Sequence, residues 1–298
     1  MIYDKNGALL QTEIPELTLI NRGKVRDIYD LKDSLLFVAT DRISAFDFVM
    51  PNGIPGKGEI LTKVSLFWFN YLDWMPNHLL YSNFDEFPNI IQKYKNDLSS
   101  RSIIVKKALP LSIECIVRGY LIGSGWKDYQ AAGTVCGMEL KKGYKLASKL
   151  DTPLFTPSTK AEQGLHDENI SFESAKKICG ELFAEKAKAY SLKLYKQASV
   201  LSEKKGIILA DTKFEFGIHN NNLILIDEVL TPDSSRFWPK SDYQEGSNPP
   251  SLDKQFVRDY LESCAWKKCY PAPELPKDIV YKTADKYKEC LIQLTNKN

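Results

Sequence analysis

Histidine is scarce in this chain. His78, His166 and His219 are the only three in 298 residues, and they lie far apart in sequence. That scatter argues against a zinc ion held by clustered ligands and against a recognisable Ser-His-Asp arrangement. The six cysteines, at 115, 136, 179, 264, 269 and 290, form no C-x-x-C pair and have no histidine at ligand spacing. They read as free thiols in a reducing compartment, which places the protein in the cytoplasm. An excess of one charge is missing as well. Forty Lys and Arg stand against 38 Asp and Glu, a net +2, so charge alone predicts neither a nucleic-acid nor a membrane surface. No apolar run approaches the roughly 20 residues that span a bilayer. The opening "MIYDKNGALLQTEIPEL" lacks the basic and apolar regions of a signal peptide. There is no internal repeat and no low-complexity tract. The length allows one large domain, or two lobes sharing a cleft.

The first hundred residues read mainly as strands. "LTLINRG", "KVRDIYDL" and "SLLFVAT" are short, rich in β-branched and aromatic residues, and separated by turn signals. Residues 59–75 are long and apolar enough for a helix. "RSIIVKKA" (101–108) and "SIECIVRGYL" (112–121) return to strand character. Residues 150–169 carry Pro, Thr, Gly and Asn without a steady period and predict a long loop. From Ser171, a plausible N-cap, to Lys205 the pattern predicts one long helix. Two strands follow, "GIILADTKFEFGI" and "NLILIDEVL", joined by a hairpin turn at "HNNN". Two closing helices end the chain. The expected fold class is α+β, with an N-terminal β-rich lobe over 1–105 and a larger α/β lobe over 106–298.

The strand "ADTKFEFG" (210–217) raises the question of function. Side chains at i, i+2 and i+4 share a face, so Asp211, Lys213 and Glu215 line one side while Phe214 and Phe216 face the other. Glu215 and Asp227 stand twelve residues apart around Asn221. An odd-numbered turn there predicts that they face each other, with Cβ atoms about 4.5–5.5 Å apart. Two such carboxylates suit a hard divalent cation with a phosphate partner. A salt bridge to a lysine such as Lys213 is the competing reading, and the hairpin alone favours neither.

Three further stretches carry anion chemistry. "NRGKVRDIYD" (21–30) sets Gly23 between strands with Lys24 and Arg26 just after it, as a phosphate turn or as a plain hairpin with two exposed bases. "IECIVRGYLIGSGW" (113–126) brings Arg118 ahead of a Gly/Ser turn at a predicted helix start, an anion site or a surface arginine beside a cap. "DEVLTPDSSRFW" (227–238) presents Arg236 beyond a turn, as an anion clamp or a packed structural group. Together these are the equipment for a nucleoside triphosphate with Mg²⁺ and a second phosphorylated or carboxylated substrate.

These same segments resemble one family. "ILADTKFEFG" is similar to the D-x-K-x-E-F-G signature of the phosphoribosylaminoimidazole-succinocarboxamide synthases (SAICAR synthetases) of purine biosynthesis, and "IECIVRGYLIGS" resembles their second signature. "GKVRDIYD", "ATDRISAFD" and "DEVLTPDSSRFWP" resemble further blocks in the same order, so the likeness runs from about residue 20 to residue 240. Ser112 stands where members often have proline, Ile122 where they have Thr or Ala, and Arg26 where short bacterial forms carry lysine.

The resemblance implies a two-lobed ATP-dependent ligase fold, somewhat like protein kinases and ATP-grasp enzymes, with the active site in the cleft. It implies ATP-driven ligation of L-aspartate to the carboxylate of the nucleotide CAIR, giving SAICAR through an acyl phosphate. Gly23, Lys24, Val25 and Arg26 would lie over the ATP phosphates, with Val105 and Lys106 on the adenine side. Glu215 and Asp227 would bind Mg²⁺ and so help to hold ATP. Arg118, Ser124 and Arg236 would hold the CAIR phosphate, and Asp211 and Lys213 would act between nucleotide and substrate. Lys160, His166 and Asp167 are assigned to the aspartate site. The longer members of the family imply a monomer. A kinase is the rival enzyme reading, but no H-R-D, D-F-G or A-P-E occurs. A nucleotide-binding module without turnover is the non-enzyme reading, against which the intact charged row argues.

Overall fold

Residues 1–160 and 168–296 are described by the computed structural model, which divides the chain into two compact units. The first comprises Met1–Tyr71, Asn77–Ala108 and Asp253–Thr295. Its sheet is built from Thr18–Arg22 (β1), Arg26–Asp30 (β2), Ser34–Ala39 (β3), Leu79–Tyr81 (β4) and Ser102–Lys106 (β5), with the helix Lys57–Tyr71 (α1) between β3 and β4 in the chain. The strands run in the order β1-β2-β3-β5-β4, every neighbouring pair antiparallel. Burial alternates along β2 and β3, as a period of two requires. Tyr29, Leu36, Val38 and Ile104 thereby enter one core with Phe84, Phe87, Ile91 and Leu98.

A second core in the same unit joins Ile43, Met50 and Ile54 to Val257, Leu261, Leu275 and Val280. The C-terminal helices Gln255–Ser263 and Lys277–Thr295 therefore belong with the first unit. The sequence pattern had placed them in the second lobe. Their apolar stripe at Val280, Tyr287, Cys290 and Leu294 is buried, and the longer helix packs against α1.

The second unit comprises Leu72–Pro76 and Leu109–Leu252. Its elements are Ile113–Tyr120 (β6), Gly123–Ala132 (α2), Lys149–Phe155 (β7), Phe172–Cys179 (α3), Glu181–Lys204 (α4), Ile207–His219 (β8), Asn222–Ile226 (β9) and Ser235–Pro239 (β10). The long strand β8 pairs antiparallel with β6, β9 and β10, and β7 lies beyond β6. Helix α4 packs on the face that carries Phe214 and Phe216, both fully buried. Tyr190 meets the Phe216 ring, and Tyr195 donates to the Leu209 carbonyl at 2.6 Å.

Three expectations change. The single helix over 171–205 is two, broken at Gly180, whose φ of 78° no helix continues. The expected loop over 150–169 contains β7 and the short strand Ser158–Thr159. The expected helix over 59–75 runs instead from Lys57 to Tyr71.

Candidate active site

The β8–β9 hairpin turns on two residues, Asn220 and Asn221, with φ of 49° and 60°. Asparagine tolerates this left-handed pair, which suits a two-residue hairpin loop. The even count sets the register. Glu215 pairs with Ile226, not Asp227. Asp227 is one residue past the ladder, at φ 67°. The predicted face-to-face carboxylate pair is therefore absent from the ladder, because the turn holds an even rather than an odd number of residues.

The charged face of β8 is nevertheless real. Across the sheet, Arg118 on β6 and Arg236 on β10 both stand opposite Asp211. Arg118 Nη1 donates to Asp211 Oδ2 at 3.1 Å, and Arg236 donates to the same oxygen. Arg118 also donates through Nη2 to Ser124 Oγ at 2.8 Å and through Nε to Thr156 Oγ1 at 3.0 Å. Burial pulls the Arg118 guanidinium below its ordinary pKa, and Asp211 works against that pull. The glycines of the following turn admit the two arginines. A Cβ on Gly123 would meet Arg236 Nη2 at 2.7 Å, and one on Gly125 would meet Arg118 Cδ at 3.0 Å. Two guanidiniums, one carboxylate, a serine and the first amides of α2 leave a net positive site at a helix N-terminus. Arg118, Ser124, Arg236 and Asp211, singled out from sequence, are thus brought together.

Further along the same face, Lys213 Nζ lies 2.5 Å from Glu215 Oε1 and 3.0 Å from Glu114 Oε1. Lys160 Nζ lies 2.7 Å from Glu215 Oε2. Burial would raise the Glu215 carboxyl, but Lys213 and then Lys160 outweigh it and hold the group well below the usual carboxylate range. Burial likewise works to lower Lys213, and is overcome by Glu215, Glu114 and Asp227, which raise it well above its ordinary value. Asp227 also acts electrostatically on Lys213, but among the described residues no group of three or more His, Cys, Asp or Glu is set to hold a metal ion. Lys160 joins the Lys213–Glu215 cluster, whereas His166 and Asp167 lie outside the described residues.

In the first unit the Gly23 amide donates to the Arg26 carbonyl at 2.8 Å, closing the turn between β1 and β2. Lys24 Nζ is held 2.7 Å from Asp47 Oδ1. The Val25 carbonyl accepts from Thr40 N at 2.9 Å and from Thr40 Oγ1 at 2.8 Å. Val105 is fully buried and paired on both sides, opposite Leu35 and Leu79. Lys106 donates from its backbone to the His78 carbonyl at 2.7 Å and from Nζ to the Asn77 carbonyl at 3.1 Å.

Sequence reasoning missed Glu114, Asp47 and Thr156. The first two sit inside quoted motifs, "IECIVRG" and "ATDRISAFD", and a role for each was there to be asked for. Thr156 carried no signal, because it needs the pairing of β6 with β7.

Comparison with known proteins identifies the family. The SAICAR synthetase family model matches residues 19–273. The phosphoribosylaminoimidazole-succinocarboxamide synthase of Geotalea uraniireducens is 58% identical over 290 residues, covering 97% of this chain and 98% of that protein. That of Thermodesulfovibrio yellowstonii is 58% identical over 291 residues, covering 97% and 99%. The SAICAR synthase of Saccharomyces cerevisiae, solved in complex with SAICAR, superposes with a TM-score of 0.88 at 45% identity, covering 97% of this chain and 99% of that one. The chain belongs to the SAICAR synthetase family, the ATP-dependent ligases of purine biosynthesis.

Proposed function

We propose that this chain joins L-aspartate to the carboxylate of CAIR, with ATP converted to ADP and phosphate, through an acyl phosphate on CAIR. One observation carries the reading. A phosphate-type clamp at Asp211 and a lysine–carboxylate cluster at Lys213 and Glu215 share one face of β8. Asp211 and Glu215 are four residue steps apart along the strand, about 13 Å, enough for a ribonucleotide to lie with its phosphate at one end and its base carboxylate at the other.

Arg118, Ser124 and Arg236 then take the CAIR phosphate, with Asp211 holding the arginines in place and facing the substrate. Gly23, Lys24, Val25 and Arg26 receive the triphosphate, with Val105 and Lys106 beside the adenine. Glu215 and Asp227, which both act on Lys213, carry the hard carboxylate oxygens that would suit Mg²⁺. Bound there, the ion supplies charge neutralisation for phosphoryl transfer. Lys213 is placed to stabilise the transferring phosphoryl group, since its neighbours keep it protonated. A carboxylate is a poor electrophile, and phosphorylation gives it a leaving group that the aspartate amine can displace. Lys160, with His166 and Asp167, forms part of the L-aspartate site. The six free thiols fit a cytoplasmic setting, and the protein acts as a monomer.

The test uses CAIR labelled with ¹⁸O in its carboxylate, with ATP and L-aspartate. One labelled oxygen is expected in the released phosphate. Unlabelled phosphate would rule out displacement from a phosphorylated carboxylate.

A further inference from the structure

We propose that Arg42 is the positioning residue of the nucleotide turn. It fixes the peptide planes of residues 23–25 so that their outward amides and Lys24 meet the polyphosphate, without touching the ligand itself. This rests on the reading of that turn as the ATP phosphate contact.

Arg42 follows β3, and its side chain is only 8% exposed. Nη2 donates to the Gly23 carbonyl at 2.8 Å, and Nε donates to the Lys24 carbonyl at 3.2 Å. Nη1 donates to the Leu10 carbonyl at 2.5 Å. Thr40, two residues earlier, takes the Val25 carbonyl. Three successive carbonyls of the turn are therefore held by one short segment. In a trans peptide the C=O and the following N–H point in opposite directions. Drawing the Gly23 and Lys24 carbonyls toward Arg42 turns the amides of Lys24 and Val25 away from it. Successive outward amides form the kind of concavity that receives an anion.

Charge does not explain Arg42. Its Nη2 lies 2.9 Å from Asp27 Oδ1, and Asp27 is fully buried. Asp27 in turn accepts from Thr12 N at 2.8 Å and Thr12 Oγ1 at 2.7 Å, and faces Arg22 Nε at 3.3 Å. Asp27 is shared with Arg22, so the two guanidiniums keep a net positive charge, but Nε, Nη1 and Nη2 of Arg42 all donate to protein acceptors and commit the side chain to holding the turn. What it offers is a planar fork that spans two carbonyls, which a lysine cannot reproduce. Gly23 gives independent support for a ligand here. Its φ is not left-handed, and a Cβ there would meet nothing closer than the Arg26 carbonyl at 3.5 Å. Neither backbone conformation nor packing calls for glycine, whereas an anion approaching the amides does.

Arg42→Lys tests the proposal, with steady-state kinetics for all three substrates, ADP binding by calorimetry and thermal unfolding. KM for ATP is expected to rise about tenfold, with ADP weakened in parallel. The fall in kcat at saturating ATP should be smaller than that rise, and the KM values for CAIR and L-aspartate should shift less than about twofold. A purely structural role would instead lower thermal stability and move all the parameters together. Thr40→Val, which keeps the shape and removes the hydroxyl bond to Val25 together with the long 3.4 Å bond from Arg42 N, is expected to raise KM for ATP about threefold and decides the matter if Arg42→Lys does not fold. Lys24→Ala separates the two layers of the argument. Unchanged ADP binding in Lys24→Ala overturns the reading of the turn. Weakened ADP in Lys24→Ala with an unchanged KM for ATP in Arg42→Lys overturns the role of Arg42 alone.

Discussion

Lys24 and Asp47 show how a residue can be legible in type and hidden in state. A base after a turn glycine is readable from "GKVRD", but its resting partner is not, because Asp47 arrives from a hairpin 23 residues away. Asp47 sits at φ 69°, a conformation that asparagine adopts as readily as aspartate. The pair is partly exposed, at 39% and 26%, so it contributes only about 0.2–1 kcal/mol. If Lys24 must leave Asp47 to reach a phosphate, Asp47→Asn removes the competitor. ADP affinity should then increase, by up to about fivefold, with thermal stability almost unchanged. Calorimetric titration with ADP checks this, and weaker binding would mean that Asp47 supports the turn rather than competing for its lysine. The arginine clamp was legible for a simpler reason. The Gly/Ser turn after Arg118 marks an anion site within one stretch of sequence, although only the observed register sets Arg118 opposite Asp211, since a one-residue slip would turn them to opposite faces. Asp211 as the shared counter-ion was not, since that needs β10 to bring Arg236 opposite the same residue.

At the scale of elements, periodicity found β1, β2, β3 and β5 of the first sheet and β6, β8 and β9 of the second, and missed β4, β7 and β10, where shortness or local composition disguised pairing. The strand β7 carries Asp151, Thr152 and Pro153 and looks like a loop. It lies outermost beside β6, where a proline without an amide is tolerated. The fused helix is a second failure. Ile178 and Leu182 seemed to belong to its apolar stripe, yet both are exposed. Ala187, Leu194 and Ala198 of that stripe are buried, on a face they share with Ala184, Ser191, Tyr195 and Ser202. The break at Gly180 sits at φ 78°, ψ 146°, a region nearly closed to other residues, and no atom lies within 4 Å of where its Cβ would be. The penalty for a side chain there is conformational rather than steric. Gly180→Ala should cost about 1–3 kcal/mol in urea unfolding. A gain in stability would instead mean that α3 and α4 can join into one helix, where alanine is the better residue.

At the scale of the whole molecule, the expected division at 105/106 stands against a break between Ala108 and Leu109, and the return of the C-terminus to the first unit was not readable. An amphipathic stripe says that a helix is buried without saying against what. The first unit needs that return. Val257, Leu261, Leu275 and Val280 close the core around Ile43, Met50 and Ile54, and Tyr287, Cys290 and Leu294 are fully buried behind them. Burying each large apolar side chain contributes roughly 1.5–3 kcal/mol, and a folded protein has only about 5–15 kcal/mol in hand. Ending the chain after Leu252 therefore removes more than the first unit can spare. The truncated protein is expected to lose amide-exchange protection across β2, β3 and β5 and to stop binding ADP, although no nucleotide-turn residue has been touched. Leu294→Ala is the milder form of the same experiment. It should cost about 2–5 kcal/mol as a cavity in a tightly packed site, with the loss read first in the exchange of first-unit amides. Full protection of β2 and β3 in the truncated chain would show that the strands hold their fold without the C-terminal helices, and that the second core is an accessory rather than a requirement.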